Sequence, residues 1–163
     1  MFNQRVLKKA FIDEICKLHE RNQMSDKLEN NFYNPGEMEF LNQTDGEYDE
    51  NTGEFTIRFE SKGTRYDGRT QIIENVSVDE KIHVIRDEKN KYNPNNFVLY
   101  TDRKWDVGNM PAELCNVIAP LYDAGYIKFS SAKVSYVEPI TKRNKHAKQA
   151  VLFVQLDGEL IYN

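Results

Sequence analysis

RDEKNKYNPNNFVLY, residues Arg86 to Tyr100, runs without a break from charge, Asn and Pro into the apolar positions Phe97, Val98, Leu99 and Tyr100. Asn and Asp side chains hydrogen-bond nearby backbone, and Pro94 fixes φ and removes a donor, so the stretch predicts a turn feeding a strand. The turn is the part that could carry chemistry.

Outward from it, the pattern is that of a β domain. Glu54 to Glu60 alternates, with Phe55, Ile57 and Phe59 on one face and Thr56, Arg58 and Glu60 on the other, the period of a half-buried strand. Further strands are expected at Lys81 to Arg86, Phe97 to Thr101, Ile127 to Glu138 and Gln149 to Leu156. One helix interrupts them, Pro111 to Ala124, with Pro111 suited to its first turn, Gly125 to the position after its end, and Pro120 placed to kink it. Many short strands with one or two helices predict a mainly β, antiparallel and barrel-like domain over residues 52–163.

Residues 1–51 read differently. Val6, Leu7, Phe11, Ile12, Ile15 and Leu18 fall at spacings of three and four, so Asn3 to Met24 is an amphipathic helix with a charged back. It docks either on its own domain or on a partner chain. His19 lies beside the stripe with no second ligand at helical spacing and reads as a surface or boundary histidine. From Ser25 to Gly53, clusters of Asn, Asp, Gly and Pro surround short pieces such as Met38 to Leu41, the composition of a linker, and set a boundary near residue 50. Asn51-Thr52-Gly53 has turn chemistry, so a short strand at Glu47 to Asp49 could pair with the next as a hairpin.

The chain has 163 residues, 39% hydrophobic and 12% aromatic, enough for one sizeable core. No run approaches the roughly 20 apolar residues that span a bilayer, and the start lacks a signal-peptide core, so a cytosolic protein without membrane contact is expected. Cys16 and Cys115 stand far apart outside any CxxC pair and read as two buried free thiols. Net charge is −4, unevenly spread: residues 1–60 carry −6 and the remainder +2, so any phosphate-binding surface belongs to the second part.

Enzyme signatures are missing: no P-loop, dinucleotide fingerprint, HExxH or serine elbow, and His19, His83 and His146 stand singly. No catalytic residue, metal ligand or cofactor is expected, and the many Asp and Glu fall in turns where solvated carboxylates belong. What remains is aromatic and basic residues on expected turns. GTRYDGR, Gly63 to Arg69, presents Arg65 and Tyr66 between two glycines. KYNP, Lys91 to Pro94, adds Tyr92 and Asn93. DVGNMP, Asp106 to Pro111, reads as a glycine turn entering a helix. KRNKHAK, Lys142 to Lys148, is a basic loop between strands. Aromatics that stack on bases, with Arg and Lys for phosphate, are the ingredients of single-strand binding.

From Phe55 to about Leu156, the order of a strand, GTRYDGR, RDEKNKYNPNNFVLY, VGNMPAEL and APLYDAGY resembles the HIRAN domain family, which typically shows R-E-P-x-N-P-Y-D-x-N-A-I followed by V-G-[YH]-[IVL]-P-x-x-L. The resemblance implies a modified OB-like β-barrel that captures the 3′-hydroxyl end of single-stranded DNA. It gives Arg65 and Tyr66 the roles of phosphate contact and base stacking, Tyr92 a second stacking surface, Asn93 the hydroxyl acceptor, and Gly108 and Asn109 the neighbourhood of the terminal phosphate. Tyr136 falls roughly where a further aromatic lies. Asn93 stands where the family has Asp, and losing the charge weakens the hydroxyl bond, because ionised acceptors bond about twice as strongly. Lys91 replaces the family Pro, and Asn109 its aromatic or His.

The expected function is therefore non-catalytic binding of single-stranded DNA near a 3′ end, with Arg65, Lys142, Arg143 and Lys145 on phosphate. Two alternatives stand beside it: a protein-interaction accessory factor of a phage or mobile element, acting on a host protein through the N-terminal helix and acidic front, and a metal-dependent nuclease. Deletion of residues 1–50 is expected to spare DNA binding and abolish partner binding.

Overall fold

The computed structural model describes residues 7–26 and 35–161. In chain order they form α1 (Lys9–Asp26), α2 (Pro35–Gln43), β1 (Asp45–Tyr48), β2 (Glu54–Glu60), α3 (Arg69–Ile73), β3 (Ile82–Asp87), β4 (Asn96–Thr101), β5 (Asp106–Asn109), α4 (Ala112–Asp123), β6 (Ile127–Glu138) and β7 (Val151–Leu160). All ladders are antiparallel, in a four-stranded sheet ordered β1-β2-β7-β6 and a three-stranded sheet ordered β3-β4-β5. Two single bridges join the sheets, Lys62 with Asn109 and Lys81 with Lys133. The architecture is the expected mainly β, OB-like one, with its barrel incompletely closed.

Alternation places the core. Phe55, Ile57 and Phe59 of β2 point inward and pair with β7, where Leu152, Val154, Leu156 and Leu160 repeat the pattern. β6 is bulged twice, between Phe129 and Ser131 and between Val134 and Tyr136; each extra residue bends the long strand around this core. Phe97 of β4, Tyr122 of α4 and Phe129 of β6 join the two sheets, with ring centroids 4.9 to 5.4 Å apart. Burying a side chain of this size contributes about 1.5–3 kcal/mol. α4 continues through Pro120 to Asp123 and closes where Gly125 adopts a left-handed φ of 86°.

The N-terminal segment shares that core. Leu7, Phe11, Ile12, Ile15 and Leu18 are buried in the same hydrophobic cluster as the sheets, and Phe11 packs on Tyr48 and Phe55, each centroid at 5.3 Å. The stripe of α1 thus docks on its own chain; Asn3 to Val6, the expected first turn, lie outside the described residues. β1 pairs with β2 across the Asn51-Thr52-Gly53 turn, close to the hairpin expected there. Deleting residues 1–50 would therefore strip seven side chains, Leu7, Phe11, Ile12, Ile15, Leu18, Leu41 and Tyr48, from the core.

Three local readings are also corrected. Within the expected linker, residues 35–43 form α2: Pro35 occupies the first position, where its missing N–H costs nothing, and Leu41 is buried. Among the described residues of 52–163 the α-helices are α3 and α4, within the one or two expected there, and α1 is the helix expected ahead of them. Asp106 to Asn109, read as a turn, is β5, because its backbone pairs with β4. His19 is buried, donating from Nε2 to the Val117 carbonyl at 2.8 Å, and desolvation lowers its pKa to about 4. Cys115 is buried, with its thiol pushed up to about 12 by desolvation, whereas Cys16 is only half-buried.

Candidate nucleic-acid interface

The site is built around the loop that follows β2. Arg69 is buried beneath it and holds it: Nε and Nη2 donate to the two Asp106 carboxylate oxygens at 2.9 and 3.0 Å, and Nη1 donates to the Gly63 carbonyl at 3.0 Å. Asp106 also accepts the Gly108 N–H at 2.9 Å. The clamp ties the loop to β5, while Tyr66 is left 59% exposed with the Arg65 guanidinium 5.4 Å from its ring centre.

Gly108 is glycine for a packing reason. Its φ is +122°, and a Cβ there would run into the Ser61 side chain and stand 2.8 Å from the Lys62 carbonyl. Only a bare Cα lets β5 come close enough for Lys62 and Asn109 to exchange both backbone hydrogen bonds, at 2.8 and 3.0 Å.

From Asn109 a row of side chains crosses the small sheet. Asn96 Nδ2 donates to Asn109 Oδ1 at 2.9 Å and to Asp87 Oδ2 at 3.1 Å, and Asn90 Nδ2 donates to the same Asp87 oxygen at 3.0 Å. Asn90 Oδ1 then accepts the N–H groups of Tyr92 and Asn93 at 2.9 and 3.0 Å, and so shapes the turn. Tyr92 stands 86% exposed at its tip, with Lys91 Nζ 5.1 Å from the ring centre. Asn93 is half-buried: its Oδ1 accepts the Asn95 N–H at 3.0 Å, and its Nδ2 donates to Asn116 of α4 at 3.1 Å.

The basic connection between β6 and β7 meets the other side of the first loop. Thr64 Oγ1 donates to the Ala150 carbonyl at 2.8 Å, and Thr141 Oγ1 donates to Glu74 at 2.8 Å. Lys142 and Lys145 are exposed along it. Arg143 is engaged in holding the connection together, its Nε paired with Glu138 at 3.1 Å and its Nη1 donating to the Gln149 carbonyl at 2.7 Å. Tyr136 donates its hydroxyl to the same Glu138 at 2.8 Å, which raises its pKa, and its ring meets Phe153 edge-on at 6.1 Å.

Hydrogen bonds thus link the Tyr66 loop, the Tyr92 turn and the basic connection into one frame. Arg65, Tyr66, Lys91, Tyr92, Lys142 and Lys145 are presented to solvent, whereas Gly108, Asn109 and Arg143 serve mainly to build it. Sequence reasoning missed the residues that do the holding: Arg69, Asp87, Asn90, Asn96, Asp106 and Asn116. Their signal was the density of Asn between 90 and 96 and the Arg and Asp at the ends of two quoted loops. Among the described residues, no three His, Cys, Asp or Glu gather as a metal site, and no helix is long and apolar enough to cross a membrane.

An OB-like β domain presenting aromatic and basic side chains on hydrogen-bonded loops is the class to which fold and site belong. Residues 54–158 match the family model described as the HIRAN domain, and the chain belongs to that family, whose domains bind DNA and are generally non-catalytic. Among solved structures it is similar to the HIRAN domain of human HLTF, at 20% identity over 64% of this chain and 76% of that chain, with a TM-score of 0.45. It is also similar to a Lactobacillus plantarum protein, at 16% identity over 64% of this chain and 98% of that one, with a TM-score of 0.48. No curated protein matches the chain.

Proposed function

We propose that the protein binds single-stranded DNA without catalysis and takes the strand near its 3′-hydroxyl end. One observation carries the reading: two tyrosines, 59% and 86% exposed, are held on hydrogen-bonded loops beside Arg65 and Lys91. Exposed rings on fixed loops are what sequence-tolerant base stacking requires. Bases stack on Tyr66 and Tyr92; Arg65, Lys91, Lys142 and Lys145 contact phosphate; the second lone pair of Asn93 Oδ1 accepts the terminal hydroxyl.

The test is fluorescence anisotropy of the whole chain with one labelled oligonucleotide ending in a 3′-hydroxyl or a 3′-phosphate. Tighter binding of the hydroxyl form supports end capture. Equal binding reduces the reading to general strand binding, and no binding to either refutes it.

The charge of −6 on residues 1–60 favours a second reading, an accessory factor that docks a basic host protein on its acidic front. Because truncation breaks the core, substitution of the exposed acids Asp13 and Glu20 on α1 is the discriminating change: it weakens a protein partner and leaves DNA binding intact.

A further inference from the structure

We infer that Glu37 and Asn116 are positioning residues for the Tyr92 turn, so that the N-terminal extension, which precedes the family match, forms part of the binding site. The inference rests on the reading of that turn as the strand-binding element. Glu37 lies in α2, 7% exposed, and its Oε2 accepts Asn116 Nδ2 at 2.6 Å. Asn116 lies in α4, and its Oδ1 accepts Asn93 Nδ2 at 3.1 Å and Asn95 Nδ2 at 3.3 Å. α2 packs directly on α4, which keeps the relay short.

The relay has a direction. Glu37 Oε2 accepts from Asn116, so Asn116 turns its amide nitrogen toward α2 and its oxygen toward the turn. That oxygen in turn obliges Asn93 to aim its nitrogen at α4, which leaves Oδ1 as the acceptor on the remaining side of the group. The orientation of the residue assigned to the strand's terminal hydroxyl is thus set by a carboxylate in the extension. Asn95 is held by the same oxygen, so both sides of Pro94 are fixed at once.

The test exchanges the polarity of the contact. In Asn116→Asp, two carboxylates face each other where an amide met a carboxylate; adding Glu37→Gln returns a donor to that contact from the α2 side, while the carboxylate still accepts from Asn93 and Asn95. Two readouts are taken on the full chain: affinity for the 3′-hydroxyl oligonucleotide, and NMR exchange rates of the Tyr92 and Asn95 amide protons in the free protein. The single variant is expected to lose about tenfold in affinity, as for one to two net hydrogen bonds, and to exchange those amides faster. The double variant is expected to return to within about twofold of wild type in both.

Wild-type affinity and exchange in the single variant would overturn the inference, as would a double variant no better than the single. Should the single variant fail to fold, a folded double variant with wild-type affinity upholds the coupling, and one that folds but binds weakly overturns it. If the wild type binds neither oligonucleotide, the DNA reading fails by itself, and the exchange rates still decide whether Glu37 and Asn116 position the turn.

Discussion

Replacing Tyr92 by Ala should separate binding from stability more cleanly than any other change. The ring is 86% exposed, so its removal uncovers almost no buried surface, and the turn is shaped by Asn90 bonding to the Tyr92 backbone N–H, which Ala retains. Surface changes of this kind stay within about 0.5 kcal/mol, or about 2 °C in Tm for a chain of this size. Stacking one base on an aromatic is worth about 1–3 kcal/mol, so Kd should rise roughly 5- to 150-fold. Anisotropy with the 3′-hydroxyl oligonucleotide measures the second quantity and thermal melting the first. Tyr92→Phe keeps the ring and should bind as wild type. If Tyr92→Ala keeps wild-type affinity, the ring stacks on nothing; if Tyr92→Phe loses as much as the alanine variant, the hydroxyl rather than the ring makes the contact.

Four further outcomes are expected. Arg69→Ala removes three donors at 2.9 to 3.0 Å and should cost about 2–4 kcal/mol in urea unfolding, loosening the Tyr66 loop. Gly108→Ala puts a methyl 2.8 Å from the Lys62 carbonyl at φ +122° and should cost about 2 kcal/mol or more by the same measurement. His19 ionises near pH 4 in the fold against about 6.5 when unfolded, so the unfolded chain takes up the proton first as pH falls; stability should decline by about 3 kcal/mol between pH 6.5 and 4 and stay flat above, and His19→Gln should remove that slope. With four cations on the strand, log Kobs should fall against log salt with a slope of about −3, and a slope near zero would remove Arg65, Lys91, Lys142 and Lys145 from the phosphates.

The legible parts of this chain were those decided by one residue's neighbours along the sequence. Phe55, Ile57 and Phe59 at period two and Phe11, Ile15 and Leu18 at helical spacing read directly as inward faces, and the structure buries all six. Tyr66 and Tyr92 read as exposed because glycine, asparagine and proline surround them. β5 was hidden because a four-residue strand containing Gly108 has no periodicity of its own; its partner β4 makes it a strand. α2 was hidden because its nine residues lie between turn-forming clusters and gain stability from α4 rather than from propensity. His19 was misread because its environment comes from Val117, far along the chain. The loops divide in the same way: the exposed Tyr66 and Tyr92 were legible, whereas Arg69, Asp106 and Asn116 are defined by partners more than twenty residues away and were not.

The holding residues also explain how an acidic chain can offer a surface to a polyanion. Asp87 and Asp106 lie beneath the two aromatic loops, but Asp87 accepts from two amide groups and Asp106 is paired with Arg69, so their charge is directed inward to the frame. The exposed layer above carries Arg65, Lys91, Lys142 and Lys145. Fixing the backbone of one loop residue costs roughly 1–2 kcal/mol, as much as stacking one base returns. Two tyrosines on floppy loops would therefore bind hardly at all. The frame from Arg69 to Asn116 orders those residues without a ligand, so that, on the proposed function, stacking on Tyr66 and Tyr92 would contribute to affinity rather than to ordering the loops.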